Sequence, residues 1–248
     1  MSDALAGRVI VITGGTSGIG RATVDLCAAR GAHVIVGDLA PGETRAGGLD
    51  QGHEGRSVRF INCDVADEAS VASLIRSALK WYGRLDVLIA CAGILEGAAV
   101  DIEDFEVATF DRVLDVNARG AFLSAKHAVR AMGSKGGVIL LVASGAGVTG
   151  GSSSYAYGAS KAAVHGMGLV LQAKLTGRPI RVNTVAPGGI ATPLKMKNVE
   201  DVGRNAGWDE ATIRVQQATL GDPSGVAQVL AFLASDEADY VRGTISTR

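Results

Sequence analysis

The chain has 248 residues, 47% of them hydrophobic and 20% charged, with a formal net charge of −1. That composition fills a sizeable core and excludes a disordered chain, and the balanced charge with no basic cluster argues against a nucleic-acid partner. No run approaches the roughly 18 apolar residues of a membrane span. The opening stretch MSDALAGRVIVITGG has no basic region followed by a long apolar one, so no signal peptide is expected. The three cysteines, Cys27, Cys63 and Cys91, lie too far apart to suggest a disulfide framework or a zinc site. A reduced, cytoplasmic setting is the expectation.

In chain order, six β-branched-rich runs predict strands at residues 8–13, 33–38, 58–64, 85–93, 137–144 and 180–188. They lack strict alternation, which predicts burial on both faces, as in a parallel sheet. Helical patterns lie between them. Ile19, Ala22, Leu26 and Ala29 share one face, and Gly31 offers a stop. Val71, Leu74, Ile75 and Ala78 repeat that spacing, with Asp67 or Ser70 as the cap. Longer helical segments follow around 104–132 and 155–176. Strand alternating with helix predicts an α/β fold: one Rossmann-type doubly wound domain over residues 1–248, with helices on both faces. Residues 40–56 are glycine-rich with a weak helical signal. Residues 191–218 are polar and follow the sixth strand, where open α/β sheets bind ligands, and are expected to form a lid.

The first strand, turn and helix occupy VIVITGGTSGIGRATVDL. Its glycines read G-x-x-x-G-x-G, at Gly14, Gly18 and Gly20. Gly14 suits a tight exit from the strand, and Gly18 and Gly20 let backbone approach a pyrophosphate at the helix N-terminus. A plain strand-to-helix turn is the competing reading. Asp38 ends the second strand, 18 residues beyond Gly20, where a carboxylate can accept hydrogen bonds from adenosine ribose hydroxyls. A 2′-phosphate there would meet a like charge. Leu39 rather than a basic residue follows, so NAD is expected over NADP. Arg45 is the one side chain whose approach would alter that, and an ordinary turn aspartate is the other reading of Asp38.

In SSSYAYGASKAAV, residues 152–164, Tyr157 and Lys161 are four apart and share a helical face. Tyr155 lies roughly 240° from Lys161 and points elsewhere, to pocket wall or packing. A phenol titrates near ~10, and an adjacent ammonium favours its ionised form. Such a pair can exchange a proton with an alcohol or carbonyl. The same spacing alone also fits a buried tyrosine beside a solvated lysine, the commoner case.

The glycine turn, Asp38, CDV (63–65), CAG (91–93), Asn117, Ser144, YGASK (157–161) and PGGIAT (187–192) occur in that order over nearly the whole chain. Together they resemble the short-chain dehydrogenase/reductase family in its compact one-domain branch. The resemblance implies a mostly parallel sheet of about seven strands and an NAD-linked oxidoreductase interconverting a secondary alcohol and a ketone. It implies Tyr157 as acid/base, Lys161 as its activator and ribose ligand, and Ser144, 13 residues before Tyr157, on the substrate oxygen. Asn117 would anchor a water in a proton relay to the lysine. Gly14, Ser17, Gly18, Ile19, Gly20 and Asp38 match diphosphate and ribose contacts. Asp64 and Val65 match adenine contacts, and Cys91, Ala92 and Gly93 a ribose edge. Pro187, Gly188, Ile190 and Thr192 match the nicotinamide-side loop. Cys91 stands where the family more often has Asn. The ending DYVRGTISTR starts like the family's last strand without its usual Asp-Gly-Gly-like close, which weakens the homotetramer otherwise implied.

No metal is expected. His33, His53, His127 and His165 are isolated, without a Ser or Cys partner pattern. The expected substrate is a small apolar alcohol or ketone. Ile94, Leu95, Val148, Leu194 and Met196 would lie near the pocket, and Gly145, Gly150, Gly151, Gly188 and Gly189 would leave room for bulk. A 3-oxoacyl thioester reductase is the enzymatic alternative, disfavoured by Asp38. A non-catalytic NAD-binding regulator is disfavoured by the complete Asn–Ser–Tyr–Lys set, and a structural oligomer is set apart by its expected lack of tight nucleotide binding.

Overall fold

The six β-branched runs all become strands of one sheet. In the computed structural model, which describes residues 4–40 and 58–247, the strands are β1 (Val9–Thr13), β2 (His33–Asp38), β3 (Val58–Asn62), β4 (Val87–Ala90), β5 (Gly137–Val142) and β6 (Ile180–Ala186). A seventh, β7 (Gly243–Ser246), pairs with β6 despite its atypical sequence. Every pairing is parallel, in the order β3-β2-β1-β4-β5-β6-β7. The stretch expected to be weakly helical at 40–56, with Arg45 and His53, lies outside the described residues but for its first position.

The missing alternation has a direct cause. Val9, Val11, Leu88, Ile139 and Leu141 point into one apolar layer, and Ile10, Ile12, Val87, Ile89 and Leu140 into the other. Each fully buried side chain of this size stabilises the fold by about 1.5–3 kcal/mol. The first layer is closed by α2 (Glu68–Tyr82), α4 (Gly120–Met132) and α5 (Tyr155–Lys174). The second is closed by α1 (Gly18–Ala29) and α8 (Pro223–Leu233). On α2 the expected residues Val71, Leu74, Ile75 and Ala78 are all buried, and Asp67 is the cap, accepting from Ala69 N and Ser70 N.

The expected face of α1 is displaced by about one residue. Gly20, Thr23, Val24 and Cys27 face the sheet, Ile19 and Leu26 flank them, and Ala29 is exposed. Two small residues at Gly20 and Thr23 bring this helix close to the strands, a contact that an apolar pattern does not register. The segment at 104–132 is likewise not one helix. It comprises a 3₁₀ turn (Ile102–Asp104), α3 (Val107–Leu114), a π-helical turn (Asp115–Arg119) and α4. Residues 191–218 hold two helices, α6 (Pro193–Asn205) and α7 (Glu210–Ala218). Proline at the first turn of α6 and of α8, behind the caps Thr192 and Asp222, starts each helix.

β1 pairs with β2 on one side and β4 on the other, so the chain reverses its direction of sheet growth between β3 and β4. Connections leaving the carboxyl ends of β1 and β4 diverge to opposite faces, and a crevice opens between them.

Candidate active site

That crevice is a cavity of ≈ 550 Å³. One end is built by the glycine turn. Gly14 has φ +71°, and a Cβ there would stand 2.6 Å from Ala92 Cα. A Cβ on Gly20 would stand 2.1 Å from the Gly14 carbonyl oxygen, so α1 packs directly on the strand exit. Ser17 starts α1 without a side-chain cap, whereas Ser154, Thr192, Asp209 and Asp222 cap α5 to α8. Uncapped N–H groups at this wall suit an anionic diphosphate. The loop 187–192 closes against the same turn, with the Thr192 methyl 2.9 Å from where a Gly18 Cβ would be.

Asp38 lines the cavity at the end of β2. Its Oδ2 accepts from Thr16 N at 3.1 Å and Thr16 Oγ1 at 2.5 Å, and its Oδ1 accepts from Leu39 N at 2.8 Å. Thr16 thus ties the carboxylate to the glycine turn, a link no motif spacing revealed. Farther along, Asp64 Oδ1 accepts from Ala66 N at 2.9 Å, and buried Val65 also lines the wall. Cys91 is held by its N–H on the Thr13 carbonyl at 3.2 Å. Burial pushes its thiol up to about 11, so it stays protonated at neutral pH.

The other end is built by α5. Ser154 Oγ accepts from Tyr157 N at 3.3 Å and donates to the Glu96 carbonyl at 2.6 Å, fixing the start of the helix. Lys161 is 4% exposed. Its Nζ donates to the Val142 carbonyl, at the end of β5, at 3.0 Å and lies 5.7 Å from the Tyr157 ring centroid. Ser144 lines the same space, with Oγ accepting from Ala146 N at 3.2 Å and its own O–H left to donate. Tyr155 stays outside the cavity, edge-on to Phe105 with centroids 5.5 Å apart, which settles it as packing.

Of the expected site residues, all but Asn117 line the cavity. Asn117 sits behind it in the π-helical turn. Its Oδ1 accepts from Ile94 N at 2.8 Å, and its Nδ2 donates to Ile94 O and to Ser160 Oγ, both at 2.9 Å. Ser160 Oγ in turn donates to the Tyr157 carbonyl at 2.8 Å. A Cβ on Gly93 would stand 3.2 Å from Asn117 Oδ1 and 3.4 Å from Lys161 Nζ, so both polar ends converge there. Of the apolar residues expected nearby, Ile94, Leu95 and Leu194 line the cavity, as do the five glycines. Val148 packs into the core instead, and Met196 does not reach the cavity. α6 also contributes Lys195 and Asn198 to the wall, two polar residues that the apolar expectation left out. Among the described histidines, none lines the cavity: His33 stacks on Tyr82, and His127 meets Glu68 at 3.1 Å.

Fold and cavity together define a doubly wound α/β oxidoreductase built to hold a nicotinamide dinucleotide. Residues 14–247 match the family model described as enoyl-(acyl carrier protein) reductase. The chain is 41% identical over 250 residues to cis-4-hydroxycyclohexanecarboxylate dehydrogenase of Sinomonas cyclohexanicum, covering 99% of this chain and 96% of that protein. It is 37% identical to (+)-borneol dehydrogenase 1 of Salvia officinalis, covering 98% of this chain and 92% of the other. The crystal structure of levodione reductase superposes with a TM-score of 0.85 at 30% identity, covering 98% and 96% of the two chains. The chain belongs to the short-chain dehydrogenase/reductase family.

Proposed function

We propose that this protein is an NAD-dependent oxidoreductase that interconverts a cyclic secondary alcohol and its ketone. The observation that carries the reading is the convergence of Tyr157, Lys161 and the Asn117–Ser160 network at one end of a cavity. Its other end presents an uncapped helix N-terminus and a fixed carboxylate. The similar proteins are named for a hydroxycyclohexanecarboxylate and for borneol, and Ile94, Leu95 and Leu194 offer an apolar wall for a ring.

A nicotinamide cofactor, when bound, supplies the hydride acceptor or donor. The chain's own residues supply the rest. Tyr157 Oη takes the alcohol proton during oxidation and returns it during reduction. The Lys161 ammonium, with one of its three N–H groups on Val142, keeps two donors, one for the ribose hydroxyls and one for the water of the relay, and stands beside the Tyr157 ring. Ser144 donates its O–H to the substrate oxygen and orients the carbinol for transfer. The Asn117 side chain is occupied by Ile94 and Ser160. Its backbone carbonyl, in a π-helical turn, is therefore the group that holds the water of a relay to Lys161.

The Asp38 carboxylate supports NAD over NADP. The reading of one domain with a lid in residues 191–218 is supported by α6, whose Leu194, Lys195 and Asn198 line the cavity. We read the protein as a homo-oligomer, a tetramer before a dimer; exposed Phe122, Leu169 and Val170 on α4 and α5 support an interface on that face. Three free cysteines fit a cytoplasmic setting. The test is NAD-linked oxidation of a panel of cyclic secondary alcohols by the wild type and by Tyr157→Phe. No turnover of any member by the wild type contradicts the activity, and equal turnover by the variant contradicts the mechanism.

A further inference from the structure

The first turns of α6 send Leu194, Lys195 and Asn198 to the cavity wall. Leu194 extends the apolar surface, but the other two form a polar corner. Lys195 Nζ donates to Asn198 Oδ1 at 2.9 Å, and Asn198 Nδ2 donates to Ser153 Oγ at 2.8 Å. Asn198 is only 3% exposed, so this chain of contacts is built into the wall rather than lying on the surface. Ser153 also lines the cavity and stands four residues before Tyr157. The corner therefore belongs to the Tyr157 end, away from Asp38.

A lysine here needs a reason. Its neighbours on α6 have counter-ions: Lys197 pairs with Asp201 and Arg204 with Glu200. Lys195 has a neutral partner, and among the described residues it makes no ion pair. Lys195 is half-buried, and that burial pushes its ammonium down. Half-burying an ammonium without a counter-ion takes away part of its hydration, and a bound anion offsets that loss. Two of the three Nζ donors remain, and Ser153 Oγ, having accepted from Asn198, keeps its O–H to donate. Two separate donors facing one space match the two oxygens of a carboxylate.

We propose that the substrate carries a carboxylate, received by Lys195 Nζ and Ser153 Oγ, on a cyclic body that lies against Leu95 and Leu194. The reacting carbinol then sits at Tyr157. Asn198 is a positioning residue, holding the amine through Oδ1 and orienting Ser153 through Nδ2. This rests on the oxidoreductase reading above and names its substrate class. The other anion within the cavity's reach is the diphosphate of the cofactor, and the experiment separates the two.

The full-length protein with saturating NADH is titrated with cyclohexanecarboxylate, hexanoate and the neutral cyclohexanecarboxamide, following NADH fluorescence. None of the three has a hydroxyl to oxidise, so binding is read without turnover. Cyclohexanecarboxylate is expected to bind about 10- to 100-fold more tightly than the amide, the range of a charge-assisted contact. Lys195→Met is expected to erase that ratio and Lys195→Arg to keep most of it, with the Kd for NADH the same in all three proteins. Asn198→Asp, which gives Lys195 a counter-ion from the protein itself, is expected to erase it too. Equal binding of acid and amide by the wild type, or a ratio unchanged in Lys195→Met and Asn198→Asp, overturns the proposal. So does a loss of NADH affinity in Lys195→Met with the acid-to-amide ratio intact, which assigns the lysine to the diphosphate. Oxidation of cyclohexanol is followed in parallel, because turnover without carboxylate preference refutes this inference and leaves the oxidoreductase reading standing.

Discussion

Replacing Asp38 by asparagine keeps the shape of the side chain and removes its charge, which isolates the basis of cofactor choice. Thr16 and Leu39 hold the carboxylate through three hydrogen bonds, so it cannot swing away from an incoming phosphate without breaking them. Two unit charges 4 Å apart repel by about 1 kcal/mol in water and about 4 kcal/mol at an effective dielectric near 20. A phosphate monoester carries about −1.5 to −2, so the penalty on NADP is at least about 1.5 kcal/mol, or roughly tenfold. The wild type is therefore expected to favour NAD over NADP by at least about tenfold in kcat/KM. Asp38→Asn should shrink that ratio at least about tenfold, and 0.5 M salt should shrink the wild-type ratio by screening. Thr16→Val, which frees the carboxylate but keeps its charge, should weaken NAD while retaining discrimination. Steady-state assays with both cofactors read all of this. Equal use of the two by the wild type, or an unchanged ratio in Asp38→Asn, would refute the reasoning.

Gly20→Ala places a methyl 2.1 Å from a backbone oxygen, so α1 must move off the strand exit. The expected outcome is at least tenfold weaker NADH binding by fluorescence, the threshold being set by about 1.4 kcal/mol per decade. Buried Arg181 donates to Asn183 Oδ1 at 3.0 Å and to the Leu233 and Ser235 carbonyls at 2.7 and 3.0 Å, tying the end of α8 to β6. Arg181→Met strands those carbonyls and is expected to cost about 2–4 kcal/mol, read as a lower urea midpoint at constant slope.

The sheet was legible because burial on both faces leaves a plain mark, continuous β-branched runs between helical periods. All six predicted runs contain their strands, and the excess at residues 63–64, 91–93 and 187–188 is loop that lines the cavity. The Tyr157–Lys161 pair was legible from helical phase, since α5 is regular from Tyr155 onward. Less visible was anything made by long-range side-chain hydrogen bonds. Thr16 on Asp38, and Ser160 between Asn117 and Tyr157, look like ordinary polar residues until the chain is folded. The π-helical turn around Asn117 adds a residue to a helical turn that apolar periodicity reads as continuous. Lys195 was missed for a related reason: a charged residue in a polar stretch reads as solvated, and only the packing of α6 against the cavity distinguishes it from Lys197. α8 is built from a Pro-started apolar run that has no strand before it, and the pattern of alternation passed over it.

The account stands on Tyr157 moving the proton. The direct measurement is the single-turnover rate of NADH formation from a cyclic secondary alcohol, in the wild type and in Tyr157→Phe, with the NADH Kd determined for both. The account predicts a fall of about 10² to 10⁴ in rate with an unchanged Kd, the range attributed to a positioned acid/base group. A variant that oxidises the alcohol at the wild-type rate would contradict it.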